Sequence, residues 1–167
     1  ITATQRLLEA ARRVELVRFA AASSSSVYGD AESYPTTERA VPAPVSPYGV
    51  TKLAAEHHCS LYASNFGVPT VSLRYFTVYG PRQRTDMALR RMIDLTLAGR
   101  PFVLYGDGSV ARSFTYVGDV VDANIAALFG DAPAGSFVNV ANDEITSMTE
   151  LIGLVGATIG TEVVLDR

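Results

Sequence analysis

The sequence is poor in the residues that mark secreted and membrane proteins. It contains a single cysteine, Cys59, so an internal disulfide cannot form. A lone cysteine in an apolar-rich helical segment fits a packed thiol in a reducing compartment, and we expect a cytoplasmic protein. No apolar run approaches the ~20 residues that span a bilayer. We therefore expect no membrane partner, and we expect no signal peptide.

Positive charge and histidine are also scarce. The formal net charge of -3 and the isoelectric point of about 5.3 argue against a general nucleic-acid binder. The two histidines, His57 and His58, are adjacent, so a helix directs them to different sides. No further histidine, cysteine or carboxylate stands at the spacing of metal ligands. We predict no metal site.

The composition and pattern that remain are those of a globular α/β protein. With 167 residues, 48% of them hydrophobic and 19% charged, the chain can bury one core of ordinary size. Apolar periodicity predicts helices near residues 2–14, 47–65, 86–99, 117–129 and 147–159. It predicts strands near 17–23, 69–75, 102–105, 136–140 and 162–165. Helices that alternate with strands favour the α/β class.

The most informative segment runs from Ser46 to Lys52. Ser46 can cap a helix whose first residue is Pro47, and Tyr48 and Lys52, four residues apart, then face the same way. A phenol has a pKa near ~10, and bringing it to about 7 requires roughly 4 kcal/mol of preferential stabilisation of the phenolate. A neighbouring ammonium can supply part of this energy. Taken alone, the Tyr-x-x-x-Lys spacing is a weak signal, because most such matches are solvated helix faces.

A serine run strengthens this interpretation. The apolar segment 17–22 predicts a strand that leads directly into Ser23–Ser26, so hydroxyl groups stand where a strand ends. In open α/β sheets, ligands bind at the carboxyl ends of the strands. The connection from residue 24 to 46 is long and rich in Pro, Ser and Glu, and connections of this length are usually functional or disordered.

Together these motifs resemble the extended short-chain dehydrogenase/reductase family, and within it the nucleotide-sugar epimerases and dehydratases. The resemblance covers nearly the whole chain and rests on segments 7–12, 24–29, 46–52, 73–82 and 106–117, in the expected order. It implies the C-terminal part of a Rossmann-like doubly wound parallel sheet with a small substrate-binding α/β region. The expected division is 1–80 for the cofactor-binding part with the catalytic helix and 81–167 largely for the nucleotide-sugar-binding part, the two being interleaved.

The dinucleotide fingerprint of that family does not occur in the sequence. It would be a glycine-rich turn that follows a strand and opens a helix, so that backbone amides hold the pyrophosphate. Gly153, Gly156 and Gly160 match neither its spacing nor its position, because they lie in or at the end of a helical pattern. The expectation is a chain that lacks about half of a nucleotide-binding domain and stops early at 163–167. Such a chain should show no turnover by itself.

The resemblance also implies a role for each site residue. Tyr48 would remove the proton of the sugar C4 hydroxyl while bound NAD takes the C4 hydride. Lys52 would bond to the nicotinamide ribose and favour the tyrosinate. Ser24 would bond to the sugar hydroxyl and help pass the proton, with Ser25 in its place if the loop is offset by one. A serine turn that merely caps backbone amides is the alternative.

The residues after Ser24 favour epimerisation. Dehydratases and decarboxylases of this type carry Asp-Glu or Ser-Glu there, because loss of water or carbon dioxide needs extra acid/base groups, whereas this chain has Ser25 and Ser26. The expected reaction is epimerisation at C4 of a nucleotide sugar of the UDP-glucose or UDP-glucuronate type. A 4,6-dehydratase, a 4-ketoreductase and a catalytically inactive fragment are the alternatives.

Recognition of the substrate follows from the same resemblance. Phe76 and Val78 should lie beside the nicotinamide, and Thr77 stands where many relatives carry Asn. Arg84 could pair with the C6 carboxylate of a uronate, and Arg112, on the loop before Phe114, matches the arginine that grips the nucleotide diphosphate. In such enzymes the helix that carries the catalytic tyrosine packs against its copy in a second subunit, so a homodimer is expected.

Overall fold

The computed structural model describes residues 1–30 and 33–166, which form two compact units. Unit 1 comprises Ile1–Phe76 and Gly118–Ala141, and unit 2 comprises Thr77–Val117 and Asn142–Arg167. Ala31 and Glu32 of the predicted long connection, and Arg167 of the predicted second region, lie outside the described residues. The division into 1–80 and 81–167 stays a prediction.

Helices and strands alternate along most of the chain. The helices are α1 (Thr2–Ala11), α2 (Pro47–Phe66), α3 (Ala88–Leu97), α4 (Val117–Phe129) and α5 (Met148–Ile159). The strands are β1 (Phe19–Ser24), β2 (Thr70–Tyr75), β3 (Thr77–Tyr79), β4 (Phe102–Val103), β5 (Ala111–Tyr116), β6 (Ser136–Val140), β7 (Ile145–Ser147) and β8 (Leu165–Asp166). The α/β prediction is confirmed. No helix in residues 1–30 and 33–166 is long and apolar enough to cross a bilayer.

Unit 1 is built on a parallel sheet with the strand order β1-β2-β6. Ala22 pairs with Leu73, and Leu73 pairs with Val138, so β2 lies in the middle. Its residues are buried along nearly the whole strand, as expected of a strand that is covered on both faces. Because the three strands run the same way, their carboxyl ends share one edge, and Ser24 stands at that edge.

A serine cap and a glycine cap define the two ends of helix α2. The Ser46 hydroxyl accepts a hydrogen bond from the Gly49 amide at 3.1 Å, and Pro47 occupies the first turn, as predicted. The helix ends at Gly67, whose φ of 68° lies in the left-handed region that favours glycine. This segment therefore forms a helix of 20 residues with the predicted register for Tyr48 and Lys52.

Unit 2 contains three short strands that the sequence pattern did not predict. β3 pairs in parallel with β5, and β5 pairs antiparallel with β7. Arg112 therefore lies within strand β5, and the expectation of a loop at this position is wrong. The error has a physical cause, since the strand mixes charged, hydroxyl and aromatic residues and only its partners identify it. The glycine pattern is placed as predicted, with Gly153 in α5 and Gly160 as its left-handed cap.

Each unit has its own hydrophobic cluster. In unit 1, α1 and α2 share a cluster that contains Leu8, Ala11, Cys59, Tyr62 and Val68. Unit 2 has a cluster that contains Met92, Phe102, Leu151, Val155 and Val163. Burial raises the pKa of the Cys59 thiol, so this residue is a packed and protonated thiol as predicted.

Not every apolar residue at helical spacing belongs to the core. Leu8 is fully buried, but its neighbour Leu7 is 59% exposed. Val50 and Leu61, on α2, are also about half exposed. Among these four residues, Leu8 alone therefore belongs to the core.

We predict a large difference between two adjacent leucines. Leu8→Ala should lower the free energy of unfolding by about 3 kcal/mol, because it leaves a cavity in the α1–α2 cluster. Leu7→Ala should change it by less than about 0.5 kcal/mol, because that side chain is already solvated. Urea denaturation followed by circular dichroism measures both values. Equal losses for the two variants would contradict this packing of α1.

Candidate active site

Tyr48 and Lys52 lie on the first two turns of α2. The Lys52 ammonium is 5.6 Å from the centre of the Tyr48 ring, so the two side chains point the same way. The ammonium also donates a hydrogen bond to the carbonyl oxygen of Ala22, near the carboxyl end of β1, at 2.8 Å. The Tyr48 side chain is 54% exposed, so a ligand can reach it. The pair therefore stands at the edge where parallel sheets bind their ligands.

The serine turn, defined as Ser24–Ser26, follows directly on β1. The Ser24 hydroxyl accepts a hydrogen bond from the Ser26 amide at 3.2 Å and lies 3.1 Å from the Ser26 hydroxyl. In this way Ser24 caps the short 3-10 helix Ser25–Val27. The capping role that the sequence left open for Ser24 is thus present in the structure. Whether Ser24 or Ser25 contacts a substrate stays a prediction.

Gly49 allows α2 to approach the serine turn closely. A Cβ atom at this position would lie 2.4 Å from the Ser26 carbonyl oxygen and 2.9 Å from the Pro44 Cβ. Only glycine accommodates this contact. The role of Gly49 was not predicted from the sequence, although a glycine inside a helix is a signal in itself because it costs about 0.5–1 kcal/mol relative to alanine. Its role is to place the start of α2 directly against Ser26.

Unit 1 also contains a buried charged residue, Arg74, that was not predicted from the sequence. Arg74, on β2, is 1% exposed and forms a two-pronged ion pair with Glu56, on α2. Its Nε lies 2.9 Å from Glu56 Oε1, and its Nη2 lies 2.6 Å from Oε2. Burial pulls the pKa of Arg74 down, but hydrogen bonds with Glu56 and Tyr28 outweigh that effect and raise it. Arg74 therefore carries a full positive charge inside unit 1.

The other predicted residues have different positions. Phe76 follows β2 in unit 1, and its amide donates to the Val140 carbonyl at 3.1 Å. Thr77 and Val78 belong to β3 of unit 2 and pair with Phe114 and Thr115. The contact of these three residues with nicotinamide or sugar stays a prediction. Within unit 1, the structure brings together Tyr48, Lys52 and the serine turn.

Two arginines of unit 2 complete the predicted set. Arg84 holds the Asp86 carboxylate with two nitrogens, and its Nε lies 2.9 Å from Asp86 Oδ1. The hydrogen bonds from Arg84 hold the pKa of Asp86 below its ordinary value. Arg112 is exposed on β5, and its Nη1 donates to the carbonyl of Ala111 at 3.1 Å. Both guanidinium groups are exposed.

The turn after β3 defines the backbone that leads to Arg84. The Gln83 side chain donates to the Val78 carbonyl at 2.9 Å, and the Gln83 amide donates to the Gly80 carbonyl at 3.2 Å. Between them, Arg82 adopts a φ of 66°, which a residue with a side chain rarely takes. The side chain of Arg82 is exposed.

The donors of unit 1 fit the hydroxyl groups of a cofactor ribose. An ammonium has three donors, and Lys52 uses one of them on the Ala22 carbonyl, which leaves others for hydroxyl groups. Together with the accessible phenol of Tyr48, this arrangement fits a ribose diol such as that at the nicotinamide end of NAD. No group of three or more His, Cys, Asp or Glu residues within the described part of the chain could hold a metal ion.

Comparison with known proteins identifies close relatives. Residues 1–141 match the NAD dependent epimerase/dehydratase family. The uncharacterized UDP-glucose epimerase YtcB of Bacillus subtilis (strain 168) is 43% identical over 99% of this chain and 52% of its own length. The probable UDP-glucuronate 4-epimerase of Rhizobium meliloti (strain 1021) is 41% identical over 70% of this chain and 35% of its own length.

A solved structure resembles the fold closely. It is the UDP-glucuronic acid 4-epimerase from Bacillus cereus in complex with UDP-glucuronic acid and NAD, with a TM-score of 0.94 and 42% identity. The match covers 99% of this chain and 53% of that chain. This chain thus spans about half the length of the Bacillus subtilis and Bacillus cereus relatives.

We predict that two helical glycines respond in opposite ways to alanine. Gly49→Ala should lower the free energy of unfolding by about 2 kcal/mol, because the new methyl group meets the Ser26 carbonyl. Gly153→Ala, in α5, should raise it by about 0.7 kcal/mol, because nothing lies within 4 Å of the added Cβ. Calorimetry of the purified variants measures both effects. A Gly49→Ala variant as stable as the parent would refute the close contact.

Proposed function

Because this chain belongs to the NAD dependent epimerase/dehydratase family, we propose that its residues supply catalytic and sugar-binding groups of an NAD-dependent UDP-sugar 4-epimerase. The observation that carries the proposal is the placement of Tyr48 and Lys52 beside the carboxyl end of β1, next to the serine turn. The relatives described above are named as UDP-glucose and UDP-glucuronate epimerases, which supports the choice of reaction.

Tyr48 acts on the proton of the C4 hydroxyl. NAD, when bound, supplies a reversible hydride acceptor for C4 of the sugar. The Tyr48 hydroxyl takes the C4 hydroxyl proton and later returns it, with the Lys52 ammonium 5.6 Å from the centre of the same ring. Lys52 is itself held by the Ala22 carbonyl, so its charge has a defined position relative to the ring.

The serine turn orients the sugar hydroxyl. Hydroxyl groups both donate and accept, so Ser24 or Ser25 can bond to the C4 oxygen while Tyr48 moves its proton. The short helix Ser25–Val27 places no carboxylate at this point. Elimination of water or loss of carbon dioxide needs such an acid/base group, whereas return of hydride to the opposite face of a ketone does not. The turn therefore supports epimerisation rather than dehydration.

Arg84 favours a uronate as the sugar. In the structure this guanidinium already holds the Asp86 carboxylate with two nitrogens, and both side chains are largely exposed. A planar fork of this kind suits the C6 carboxylate of glucuronate equally well. We place UDP-glucuronate first and UDP-glucose second among the substrates, and we assign the nucleotide diphosphate to Arg112, whose exposed charge is permanent.

Further assignments belong to the same proposal. Phe76, Thr77 and Val78 would line the nicotinamide and the sugar. The half-exposed Val50 and Leu61 on α2 provide an apolar surface for a second copy of the helix, which supports a homodimer. A single buried thiol that forms no disulfide supports a cytoplasmic location.

We predict that Tyr48→Phe lowers kcat about a thousandfold, because the phenol that moves the proton is lost. The complete protein should be incubated with UDP-glucuronate or UDP-glucose, and the C4 epimers resolved by chromatography. Tyr105→Phe is the matched control, since Tyr105 is an exposed tyrosine of unit 2, 81% accessible. Turnover in Tyr48→Phe at the rate of Tyr105→Phe would exclude this mechanism, and accumulation of a 4-keto-6-deoxy sugar would indicate a dehydratase.

We predict that Arg84→Gln discriminates between the two sugars. Loss of a charge-assisted pair of hydrogen bonds should raise KM for UDP-glucuronate by roughly thirtyfold. KM for UDP-glucose should stay within about threefold, since that sugar has no carboxylate. Arg90→Gln, which removes an exposed arginine paired with Asp94 on α3, is the control. The same change of KM for both sugars would show that Arg84 does not bind the C6 carboxylate.

A further inference from the structure

The buried pair of Arg74 and Glu56 extends into a larger set of bonds, which we define as the Arg74 cluster: Ser23, Tyr28, Glu56, Arg74 and Asn139. The Ser23 hydroxyl donates to Glu56 Oε1. Arg74 Nη1 donates to the Tyr28 hydroxyl at 2.7 Å, and that hydroxyl donates to Asn139 Oδ1 at 2.7 Å. The Phe137 ring lies under the guanidinium, 3.9 Å from its carbon atom. The cluster is thus an ordered chain of donors and acceptors.

The cluster also reaches the long connection that precedes α2. The Asn139 side chain donates to the Thr36 carbonyl at 2.9 Å, and its amide donates to the Glu38 carboxylate at 2.8 Å. These bonds join β6 to the segment that leads to Ser46 and Tyr48. The cluster therefore links five parts of unit 1, namely the end of β1, the end of the short 3-10 helix, α2, β2 and the connection held by β6.

Members of the cluster stand on both sides of the serine turn. Ser23 immediately precedes Ser24, and Tyr28 caps the end of the helix that follows it. Glu56 lies one turn of α2 beyond Lys52 and two turns beyond Tyr48. Hence the guanidinium is bonded directly to Tyr28, on one flank of the turn, and to Glu56, on the helix that carries the candidate base, and Glu56 in turn is bonded to Ser23 on the other flank.

We propose that Arg74 is a positioning residue, which through Glu56, Ser23 and Tyr28 holds the serine turn against the start of α2. The inference rests on the proposed function, because it assigns these bonds to the alignment of a serine hydroxyl with Tyr48. A two-pronged guanidinium pair has a single planar geometry, and its remaining nitrogen fixes Tyr28 at the same time. An apolar side chain could fill the volume, but it could not set these directions.

Two tyrosines of similar burial provide a matched test. Tyr28 is 3% exposed and belongs to the cluster, whereas Tyr62 is 4% exposed and donates to Glu9 at the α1–α2 contact. Tyr28→Phe and Tyr62→Phe each remove one phenol hydroxyl. Tyr28→Phe also takes a partner from the buried Arg74, so we expect it to lose more thermal stability than Tyr62→Phe, and the two variants are compared at a temperature well below both melting points.

The first readout is amide hydrogen exchange. The Ser26 amide is bonded to the Ser24 hydroxyl, so its exchange rate reports how firmly the turn is held. In Tyr28→Phe we expect the Ser26 amide to exchange about tenfold faster, since one hydrogen bond no longer holds the turn. In Tyr62→Phe the rate should not change. Equal rates in the two variants would overturn the inference, whether or not the protein is active.

The second readout is the kinetics of the complete protein with NAD and UDP-glucuronate. Tyr28→Phe should lower kcat about tenfold with KM within twofold, because the turn is misplaced while the binding groups remain. Arg74→Lys should reproduce this loss, because it retains the charge but not the fork. Tyr62→Phe should retain the parent kcat, and a Tyr28→Phe variant with parent kcat would overturn the proposal.

Two further outcomes are distinguishable. If the parent protein does not epimerise either sugar, the proposed function fails, and the exchange comparison alone decides whether Arg74 positions the turn. If Tyr28→Phe does not fold, Ser23→Ala replaces it, since it removes a single donor to Glu56. Unchanged Ser26 exchange in Ser23→Ala would count against the inference.

Discussion

The buried ion pair between Arg74 and Glu56 is the interaction on which unit 1 depends. Taking two charges out of water is costly, and the cost is offset only where every donor and acceptor finds a partner. Here the carboxylate also accepts from Ser23, and the guanidinium also binds Tyr28. Such a pair contributes little net stability over an apolar core. Its effect is geometric, because only one arrangement of β1, β2 and α2 satisfies all of these groups.

Hydrophobic packing and hydrogen bonding act at different ends of α2. Toward the C-terminal end of α2, Cys59 and Tyr62 pack with Leu8 of α1. This packing holds the helix in place but does not set its register against the sheet. At the N-terminal end, Ser46 and Gly49 define where the helix starts and how closely it approaches the serine turn. Apolar packing therefore provides the binding energy of the helix, and hydrogen bonds provide its register against the sheet.

Local signals predicted much of this fold. The cap at Ser46 and the apolar runs at β2 and β6 were sufficient for three elements of unit 1, because each is defined within a short window. The strands β3 and β5 could not be predicted, since their mixed residues become strands only through pairing with one another. Arg74 could not be assigned for a related reason: its partner Glu56 lies 18 positions away, and no pattern within β2 reveals it. The motif resemblance supplied the candidate site residues, but not the cluster behind them.

The bond from Lys52 to the Ala22 carbonyl has an evolutionary corollary. Main-chain oxygen is the same for all twenty amino acids, so a replacement at position 22 changes the side chain without deleting the acceptor. Descendants of this sequence can drift at that position while the ammonium keeps its anchor, provided that the strand itself persists. Conversely, sequence comparison at residue 22 would underestimate its importance, because selection acts there on backbone path and not on residue identity.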